Sequence, residues 1–331
     1  MAGVVITGGT AGVGRALARL YASDGWNVAV IARGEARLEA TAKEIRSLGV
    51  RALAIPADVA DAVAMREAAA RASQEFGGLD LWINNAMTTV YSPFAEMTDE
   101  EFRRVTDVVY MGSVNGARAA LSEMRPARHG RIVFVGSALA YRSIPLQSAY
   151  CAAKHAVRGF VSALRTELIH DDVPVGLSMV QLPTVNTPQF SWCRNKMPRI
   201  PDAPPPVYSP EAVARGIRDA AARGDEEAFV GRSTVKLIAG EHVAPHLLDR
   251  IVAGAAWDGQ QGEQRQDEAS RDGNLFEPAP GDPGSQGRFT AIQTESAATV
   301  SSGQARAGAA LLAGGGAALA LLAARRLLRR W

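Results

Sequence analysis

The sequence predicts an α/β protein built on a doubly wound parallel sheet. Residues 3–14 read GVVITGGTAGVG, which is a short apolar run, a set of closely spaced glycines and the start of a helical pattern. Further apolar runs then alternate with longer segments of helical periodicity. This alternation is typical of a parallel sheet with right-handed crossovers. Residues 136–154 add a serine, a tyrosine and a lysine within the same pattern.

Seven apolar runs are the candidate strands, and segments of helical periodicity lie between them. The strands are predicted at residues 3–7, 27–32, 51–55, 80–84, 130–136, 174–181 and 227–231. The helices are predicted near residues 13–23, 35–48, 60–76, 98–124, 149–170 and 209–223. We therefore expect one domain over residues 1–257, with a seven-stranded sheet and a flexible C-terminal extension.

The composition fits a globular enzyme-sized domain and argues against several other classes. Hydrophobic residues make up 47% of the 331 residues, enough for a sizeable core. Cys151 and Cys193 do not suggest a disulfide framework, and the five histidines show no ligand spacing, so no metal site is predicted. The first strand begins almost at Met1, so we expect no signal peptide and a cytoplasmic catalytic domain.

The glycine-rich turn predicts a phosphate-binding site. Gly8, Gly12 and Gly14 stand between the first strand and the first helix. Glycines let the backbone approach a pyrophosphate, and the helix N-terminus offers free N–H groups to it. The TGxxxGxG spacing is one residue wider than the commonest dinucleotide-binding spacing. A glycine-rich turn without a ligand is the simpler interpretation, but the strand and helix on either side favour binding.

Tyr150 and Lys154 lie four residues apart in a long helical pattern, so their side chains fall one turn apart. A nearby ammonium lowers the pKa of a phenol, which suits a general acid/base. Ser137 follows an apolar strand, at the edge of an open α/β sheet where ligands bind. A YxxxK pattern alone is usually ordinary helix surface. Together with Ser137 and the glycine turn, it predicts hydride transfer between a nicotinamide and a carbonyl or alcohol.

With these motifs in this order, the sequence resembles the short-chain dehydrogenase/reductase family. The matching stretches extend from residue 1 to about residue 235. They are residues 7–14 (TGGTAGVG), 57–59 (ADV), 84–86 (NNA) and 150–154 (YCAAK), with Ser137, Pro183 and Thr187. The resemblance implies a Rossmann-type sheet and an NAD(P)-dependent oxidoreductase that acts as a homodimer or homotetramer.

The resemblance also implies roles for individual residues. Tyr150 would be the acid/base, Lys154 would lower its pKa and hold the nicotinamide ribose, and Ser137 would position the substrate carbonyl. Asp58 would contact the adenine, and Asn84 would steady the central strand. The candidate cofactor-binding residues are Thr7, Gly8, Thr10, Gly12, Val13, Gly14, Arg33, Asp58, Val59, Asn85, Ala86, Tyr150, Lys154, Pro183, Val185 and Thr187.

Two positions depart from the family's pattern. Met87 stands where a glycine usually follows the Asn-Asn-Ala motif. Val109, aligned on Gly112, stands where the family usually has an asparagine thought to hold a water that feeds protons to the lysine. Valine has no polar atom to do this. Asn115 lies six residues further along the helix and is not an obvious substitute.

The end of the second strand favours NADP(H) over NAD(H). Dinucleotide folds that prefer NAD place an acid there, bonded to the ribose 2′-hydroxyl. This sequence has Ala32 and then Arg33, and an arginine can bind a 2′-phosphate with two parallel hydrogen bonds. The simpler alternative is that Arg33 only begins the next helix as a solvated charge.

The substrate is the least determined part of the prediction. By the resemblance, residues 184–208 cover the substrate. Apolar side chains there and after Ser137 favour a small hydrophobic ketone, aldehyde or secondary alcohol, or else they only pack the covering loop on the domain. These side chains are Leu139, Tyr141, Ile144, Leu146, Phe190, Trp192, Met197, Ile200 and Tyr208.

Two other classes of function stay open. Val109 and Met87 motivate a catalytically weak NADP(H)-binding sensor or a membrane-attached interaction protein. Isomerase or dehydratase chemistry on the same scaffold, with bound cofactor, is a third hypothesis. The intact set of Ser137, Tyr150 and Lys154 favours the oxidoreductase.

The C-terminal quarter of the chain changes character. Residues 258–305 are polar and rich in glycine, which predicts a disordered linker, with docking of residues 274–276 and 288–289 on the domain as the alternative. Residues 307–324 are uncharged and include five leucines. They predict a membrane span, an interfacial helix or a loosely ordered tail. Residues 306–331 carry five arginines and no acid, so the remainder is slightly acidic, which argues against nucleic-acid binding and favours anionic lipid for the tail.

Overall fold

A parallel β-sheet forms the centre of the computed structural model, which describes residues 1–267 and 272–308. Within these residues the strands, numbered in chain order, are β1 (Gly3–Thr7), β2 (Asn27–Ala32), β3 (Ala52–Pro56), β4 (Leu81–Asn84), β5 (Val90–Tyr91), β6 (Arg131–Val135), β7 (Gly176–Gln181), β8 (Arg194–Asn195), β9 (Arg199–Pro201), β10 (Val207–Tyr208), β11 (Glu227–Val230), β12 (Gln261–Arg265), β13 (Gln293–Thr294) and β14 (Thr299–Ser301).

The α-helices of the same residues occupy most of the segments between the strands. They are α1 (Gly12–Ser23), α2 (Glu35–Ser47), α3 (Ala62–Phe76), α4 (Asp99–Thr106), α5 (Gly112–Ala127), α6 (Ser148–His170), α7 (Gln189–Trp192), α8 (Pro210–Arg223), α9 (Arg232–Val243) and α10 (Pro245–Gly259). A π-helical turn, Asp107–Met111, joins α4 to α5. Short 3₁₀ turns lie at Phe94–Glu96 and Ala138–Ala140.

The main sheet confirms the predicted doubly wound architecture. Its strand order is β14-β11-β7-β6-β4-β1-β2-β3, and all neighbours are parallel except β14 against β11. The chain moves outward from β1 to β2 and β3, and then returns to β4 on the other side of β1. This reversal opens a crevice at the carboxyl ends of β1 and β4, where open α/β sheets bind ligands.

Both faces of the sheet are covered by helices, because its strands are apolar on both sides. In β1, Val4 and Ile6 face a core shared with α1 and α8, while Val5 faces the opposite core. The second core includes side chains of α3, α5 and α6. Two buried layers fix the sheet between the helices, and the crevice at the carboxyl ends of its strands stays open to bind a ligand.

The segment predicted as a disordered linker is instead built into the fold where it is described. β14 adds an eighth, antiparallel strand to the main sheet beside β11, β13 pairs with β10, and β12 pairs with β9. Leu275 is fully buried and Phe289 is 8% exposed, in line with the docking alternative. A few apolar anchors and backbone pairing to strand edges order a segment whose average composition is polar.

Two helices, α9 and α10, follow β11, where the sequence patterns predict no element. Most of the apolar and basic segment 306–331 lies outside the described residues, so the three hypotheses for residues 307–324 stay open. Among residues 1–267 and 272–308, no helix combines the length and apolarity that crossing a membrane requires.

Replacing Phe289 by alanine tests whether the C-terminal segment is part of the folded domain. Phe289 packs edge-on against Phe190, with ring centroids 5.3 Å apart. Removing a buried phenylalanine side chain leaves a cavity, so the free energy of unfolding should fall by about 2–4 kcal/mol in urea denaturation. Ile292→Ala, in the same segment but 59% exposed, is the matched control and should change it by less than about 1 kcal/mol. Equal, small effects of both substitutions would show a linker.

Candidate active site

In the turn after β1, the backbone at the start of α1 lies directly against the Gly8 backbone, where the turn begins. Gly8 and Gly12 adopt positive φ angles of 64° and 54°, which glycine adopts without strain. At Gly14 a Cβ atom would lie 2.2 Å from the Gly8 carbonyl oxygen. The helix therefore begins close to the strand, and its N-terminus points into the crevice, as a phosphate site requires.

The same turn is fastened to the end of β4. The Thr7 hydroxyl accepts hydrogen bonds from the backbone N–H groups of Asn85 and Ala86, at 2.9 and 3.1 Å. The Asn85 side-chain amide donates to the carbonyls of Thr7 and Gly8. Asn84 accepts a hydrogen bond from the Trp82 indole at 3.0 Å. Thr7 and Asn85 thus hold the two loops of the crevice at a fixed separation.

The three catalytic candidates meet on the other side of the crevice. Ser137 lies at the end of β6, where its N–H donates to the Gln181 side chain at 2.9 Å. Its hydroxyl hydrogen-bonds the Tyr150 phenol. The Lys154 ammonium lies 5.6 Å from the centroid of the Tyr150 ring and donates to the Val135 carbonyl at 2.6 Å. The predicted spacing therefore brings serine, tyrosine and lysine together.

Burial decides the protonation of this group. It raises the pKa of Tyr150 above its ordinary value, and the hydrogen bond with Ser137 opposes this only in part. Burial also lowers the pKa of Lys154 to about 8. The expectation that Lys154 lowers the tyrosine pKa is outweighed here by desolvation. At pH 7 the phenol is neutral and the ammonium is still mostly charged, so the pair can donate a proton.

Charged residues gather at the opposite end of the crevice. Asp58 pairs with Arg104 at 2.5 Å and accepts a hydrogen bond from the Ala60 N–H. Burial alone would raise the pKa of Asp58, but these hydrogen bonds lower it below its ordinary value. Arg33 lies nearby, and its pKa is lowered by burial and by the Arg104 charge. Two guanidinium groups thus lie close together, and one of them, that of Arg104, is paired with the Asp58 carboxylate.

The C-terminal segment also reaches this end of the crevice, and we call residues 272–289 the C-terminal strap. Arg33 donates to the backbone carbonyls of Asn274 at 2.6 Å, Leu275 at 3.3 Å and Phe276. Arg104 donates to the Leu275 carbonyl as well, at 3.2 Å. The strap is therefore bound to the two arginines of the site.

The two departures from the family pattern lie in one apolar cluster. Val109 is buried in the π-helical turn, among side chains that include Val105, Tyr150 and Leu275, and Met87 packs against the same cluster. Asn115 does not replace the missing asparagine, because its amide donates to the carbonyls of Val59 and Ala60. Its contact instead fixes the loop that carries Asp58.

One continuous cavity of about 390 Å³ connects these groups. All the candidate site residues line it except Thr7 and Gly14, which lie behind its wall. The candidates that line it are Gly8, Thr10, Gly12, Val13, Arg33, Asp58, Val59, Asn85, Ala86, Ser137, Tyr150, Lys154, Pro183, Val185 and Thr187. The size is within the usual range of small-molecule sites.

The predicted apolar pocket forms only in part. Leu139, Ile144, Phe190 and Trp192 line the cavity. Leu146 and Met197 belong instead to a separate apolar cluster, and Tyr208 to the main core. Residues 184–208, the segment predicted to cover the substrate, are held to the domain by ion pairs. Their Arg194 and Lys196 pair with the buried carboxylate of Glu101.

Several lining residues carry no motif that could have indicated them from the sequence. Gln147 accepts a hydrogen bond from Thr89 and donates to Gln260 at 2.7 Å, so three distant segments form one polar wall. Leu237 of α9 adds an apolar side chain to the cavity lining. Arg104, the ion-pair partner of Asp58, likewise belongs to no motif of the sequence.

Comparison with known proteins agrees with this geometry. The sequence model of the family described as "short chain dehydrogenase" matches residues 2–197. The chain belongs to this family. Like the reductases and dehydrogenases of this family, it is an oxidoreductase with an NAD(P)-type cofactor.

The similar proteins include oxidoreductases from distant organisms. The chain is 29% identical to the "uncharacterized oxidoreductase YxnA" of Bacillus subtilis over 79% of this chain and 74% of that protein. It is 30% identical to the 3-dehydrosphinganine reductase of Danio rerio over 67% of this chain and 69% of that protein. An alcohol dehydrogenase structure from Thermococcus sibiricus, complexed with 5-hydroxy-NADP, superposes with a TM-score of 0.60 at 27% identity and covers 69% of this chain and 95% of that one.

Gly14→Ala tests the close approach in the turn. The added Cβ meets backbone oxygen that cannot move cheaply, so binding of a nicotinamide dinucleotide should weaken at least about tenfold and the protein should lose more than about 1 kcal/mol of stability. Fluorescence titration and urea denaturation measure the two effects. The control is Gly159→Ala on α6, where the Cβ meets nothing within 4 Å and a gain of about 0.5–1 kcal/mol is expected. Unchanged binding by the Gly14 variant would exclude the turn from the site.

Proposed function

We propose that this protein is an NADP(H)-dependent reductase of hydrophobic carbonyl compounds, or the corresponding alcohol dehydrogenase, with Tyr150 as the acid/base. The observation that carries the proposal is the hydrogen-bonded pair of Ser137 and Tyr150, with Lys154 beside them, in a cavity that continues to the glycine turn. A binding protein would have no need of an acid/base group at this place.

The residues present fit a dinucleotide. The turn is a cradle of glycines, and at Gly8 a Cβ would lie 2.8 Å from the Cα of Ala86. Val13, Thr10 and Gly12 would hold the pyrophosphate, Asp58 and Val59 the adenine, and Lys154 the nicotinamide ribose. Pro183, Val185 and Thr187 would lie along the carboxamide. When bound, the cofactor supplies or accepts the hydride.

The side chains would move the proton. In reduction, the Ser137 hydroxyl hydrogen-bonds the substrate oxygen, and the neutral Tyr150 phenol donates its proton to that oxygen as negative charge develops. The Lys154 ammonium then stabilises the phenolate. Because burial keeps Tyr150 neutral at pH 7, the phenol holds the proton that carbonyl reduction requires.

The cofactor preference rests on Arg33. β2 ends at Ala32 rather than at an acid, and the Arg33 that follows lines the cavity beside Gly34. A guanidinium forms strong charge-assisted hydrogen bonds with a phosphate. The apolar lining by Leu139, Ile144 and Phe190 supports a hydrophobic ketone, aldehyde or secondary alcohol as substrate.

Tyr150→Phe separates an enzyme from a sensor. Removing the phenolic hydroxyl removes the proton donor, so turnover of carbonyl substrates by NADPH should fall by about 10²-fold or more, while the dissociation constant of NADPH changes little. Steady-state kinetics and fluorescence titration measure the two quantities. Tyr110→Phe, outside the cavity, is the control and should keep full turnover. Undiminished turnover by the Tyr150 variant would remove it from the mechanism.

Arg33→Ala tests the cofactor preference in the full-length chain, because the C-terminal segment is built into the fold. Losing charge-assisted hydrogen bonds worth about 1.5–3 kcal/mol should weaken NADPH binding by about 10- to 100-fold and change NADH binding much less. Arg46→Ala, a surface arginine of α2 paired with Glu39, is the control and should leave both affinities unchanged. A wild-type protein that binds the two cofactors equally would contradict the preference.

A further inference from the structure

The C-terminal strap supplies hydrogen-bond partners to the groups expected to bind the cofactor. Both terminal nitrogens of Arg33 donate to strap carbonyls, those of Asn274, Leu275 and Phe276. At the glycine turn, the Gly12 N–H donates to the carbonyl of Gly284 at 3.2 Å. The strap thus meets the site at two separate places, the predicted 2′-phosphate end and the phosphate turn.

The strap has an anchor next to each of these two contacts. Leu275 is fully buried in the apolar cluster that contains Val109, and Met87 packs against the same cluster. The two residues that depart from the family pattern therefore help to form the site that buries Leu275. Asp282 pairs with Arg15 of α1 at 2.6 Å. Asn274 also donates its N–H to the Trp192 carbonyl at 2.7 Å, which connects the strap to the loop that covers the substrate.

The electrostatics make the strap a replaceable partner for Arg33. No carboxylate forms an ion pair with Arg33 among residues 1–267 and 272–308; its hydrogen bonds go to neutral carbonyls. The neighbouring Arg104 adds positive charge, and Asp58 is the carboxylate that pairs with it. A phosphate carries a full negative charge that both arginines attract, and it can accept two parallel hydrogen bonds from one guanidinium, whereas a carbonyl has no net charge. A phosphate at this place would therefore compete well with the strap.

We propose that the C-terminal strap is an autoinhibitory segment that competes with the 2′-phosphate of NADP(H) for Arg33. This inference rests on the proposed function. A segment that only covered a bound cofactor would lie outside it and leave Arg33 and the Gly12 N–H available, whereas this strap bonds both. The apparent association constant for NADP(H) is then the intrinsic constant multiplied by the fraction of molecules in which the strap is undocked. A dinucleotide without the 2′-phosphate does not need Arg33 and is affected less.

Hydrogen exchange of the full-length protein tests the displacement directly. Mass spectrometry follows the amides of residues 272–289, alone and with saturating NADPH or NADH. The proposal expects faster exchange of the strap with NADPH and a smaller change with NADH. Slower exchange with NADPH would show that the strap closes over the cofactor, and would overturn the proposal.

Cofactor titrations of anchor variants provide the second measurement. Leu275→Ala should undock the strap and tighten NADPH binding by about tenfold, with a smaller effect on NADH. Phe276→Ala is the matched control, because its side chain is 39% exposed and its backbone carbonyl is retained. Asp282→Asn removes the ion pair with Arg15 without opening the apolar cluster, and should also tighten NADPH binding if Leu275→Ala does not fold.

The outcomes separate the strap from the proposed function. Equal NADPH affinity of the wild type and both anchor variants would overturn the competition and leave the NADP(H)-dependent function standing. Absence of NADPH binding by the folded wild type and the variants alike would overturn the proposed function, and the competition with it.

Discussion

The close approach of the turn after β1 to the end of β4 is the constraint on which the rest of the site depends. Glycine at position 14 allows the first helix to start against the Gly8 carbonyl, and the Thr7 hydroxyl holds the backbone after β4. Because the strand order reverses between these two strands, the fastened loops form a crevice rather than a filled layer. Every other functional group is placed relative to this crevice.

Burial then gives the catalytic side of the crevice its chemical character. Tyr150 and Lys154 are one turn apart on α6, and both are shielded from water, so desolvation raises one pKa and lowers the other. The two pKa values, which are ordinarily close to each other, move apart. Near neutral pH the site therefore holds a neutral acid beside a cation that is close to losing its charge, which fits the oxidoreductase chemistry of the family.

The opposite side of the crevice is governed by an excess of positive charge. Arg33 and Arg104 converge with Asp58 as the paired carboxylate, and backbone carbonyls of the C-terminal strap satisfy the remaining donors. The same strap buries Leu275 beside Val109 and Met87. The two departures from the family pattern and the added C-terminal segment are thus parts of one arrangement, which connects the ordered extension to the cofactor site.

The sequence by itself determined the sheet, the glycine turn and the grouping of Ser137, Tyr150 and Lys154, because apolar periodicity, turn residues and helical spacing are local properties of the chain. Only the tertiary structure decided the role of the C-terminal segment and of Arg104. Arg33 and Leu275 are 242 residues apart, and the acceptor is a backbone carbonyl, a group that every residue carries. A polar average composition also hid the few anchors, Leu275 and Phe289, that order the segment. Such contacts depend on which surfaces the fold brings together, and no local pattern records them.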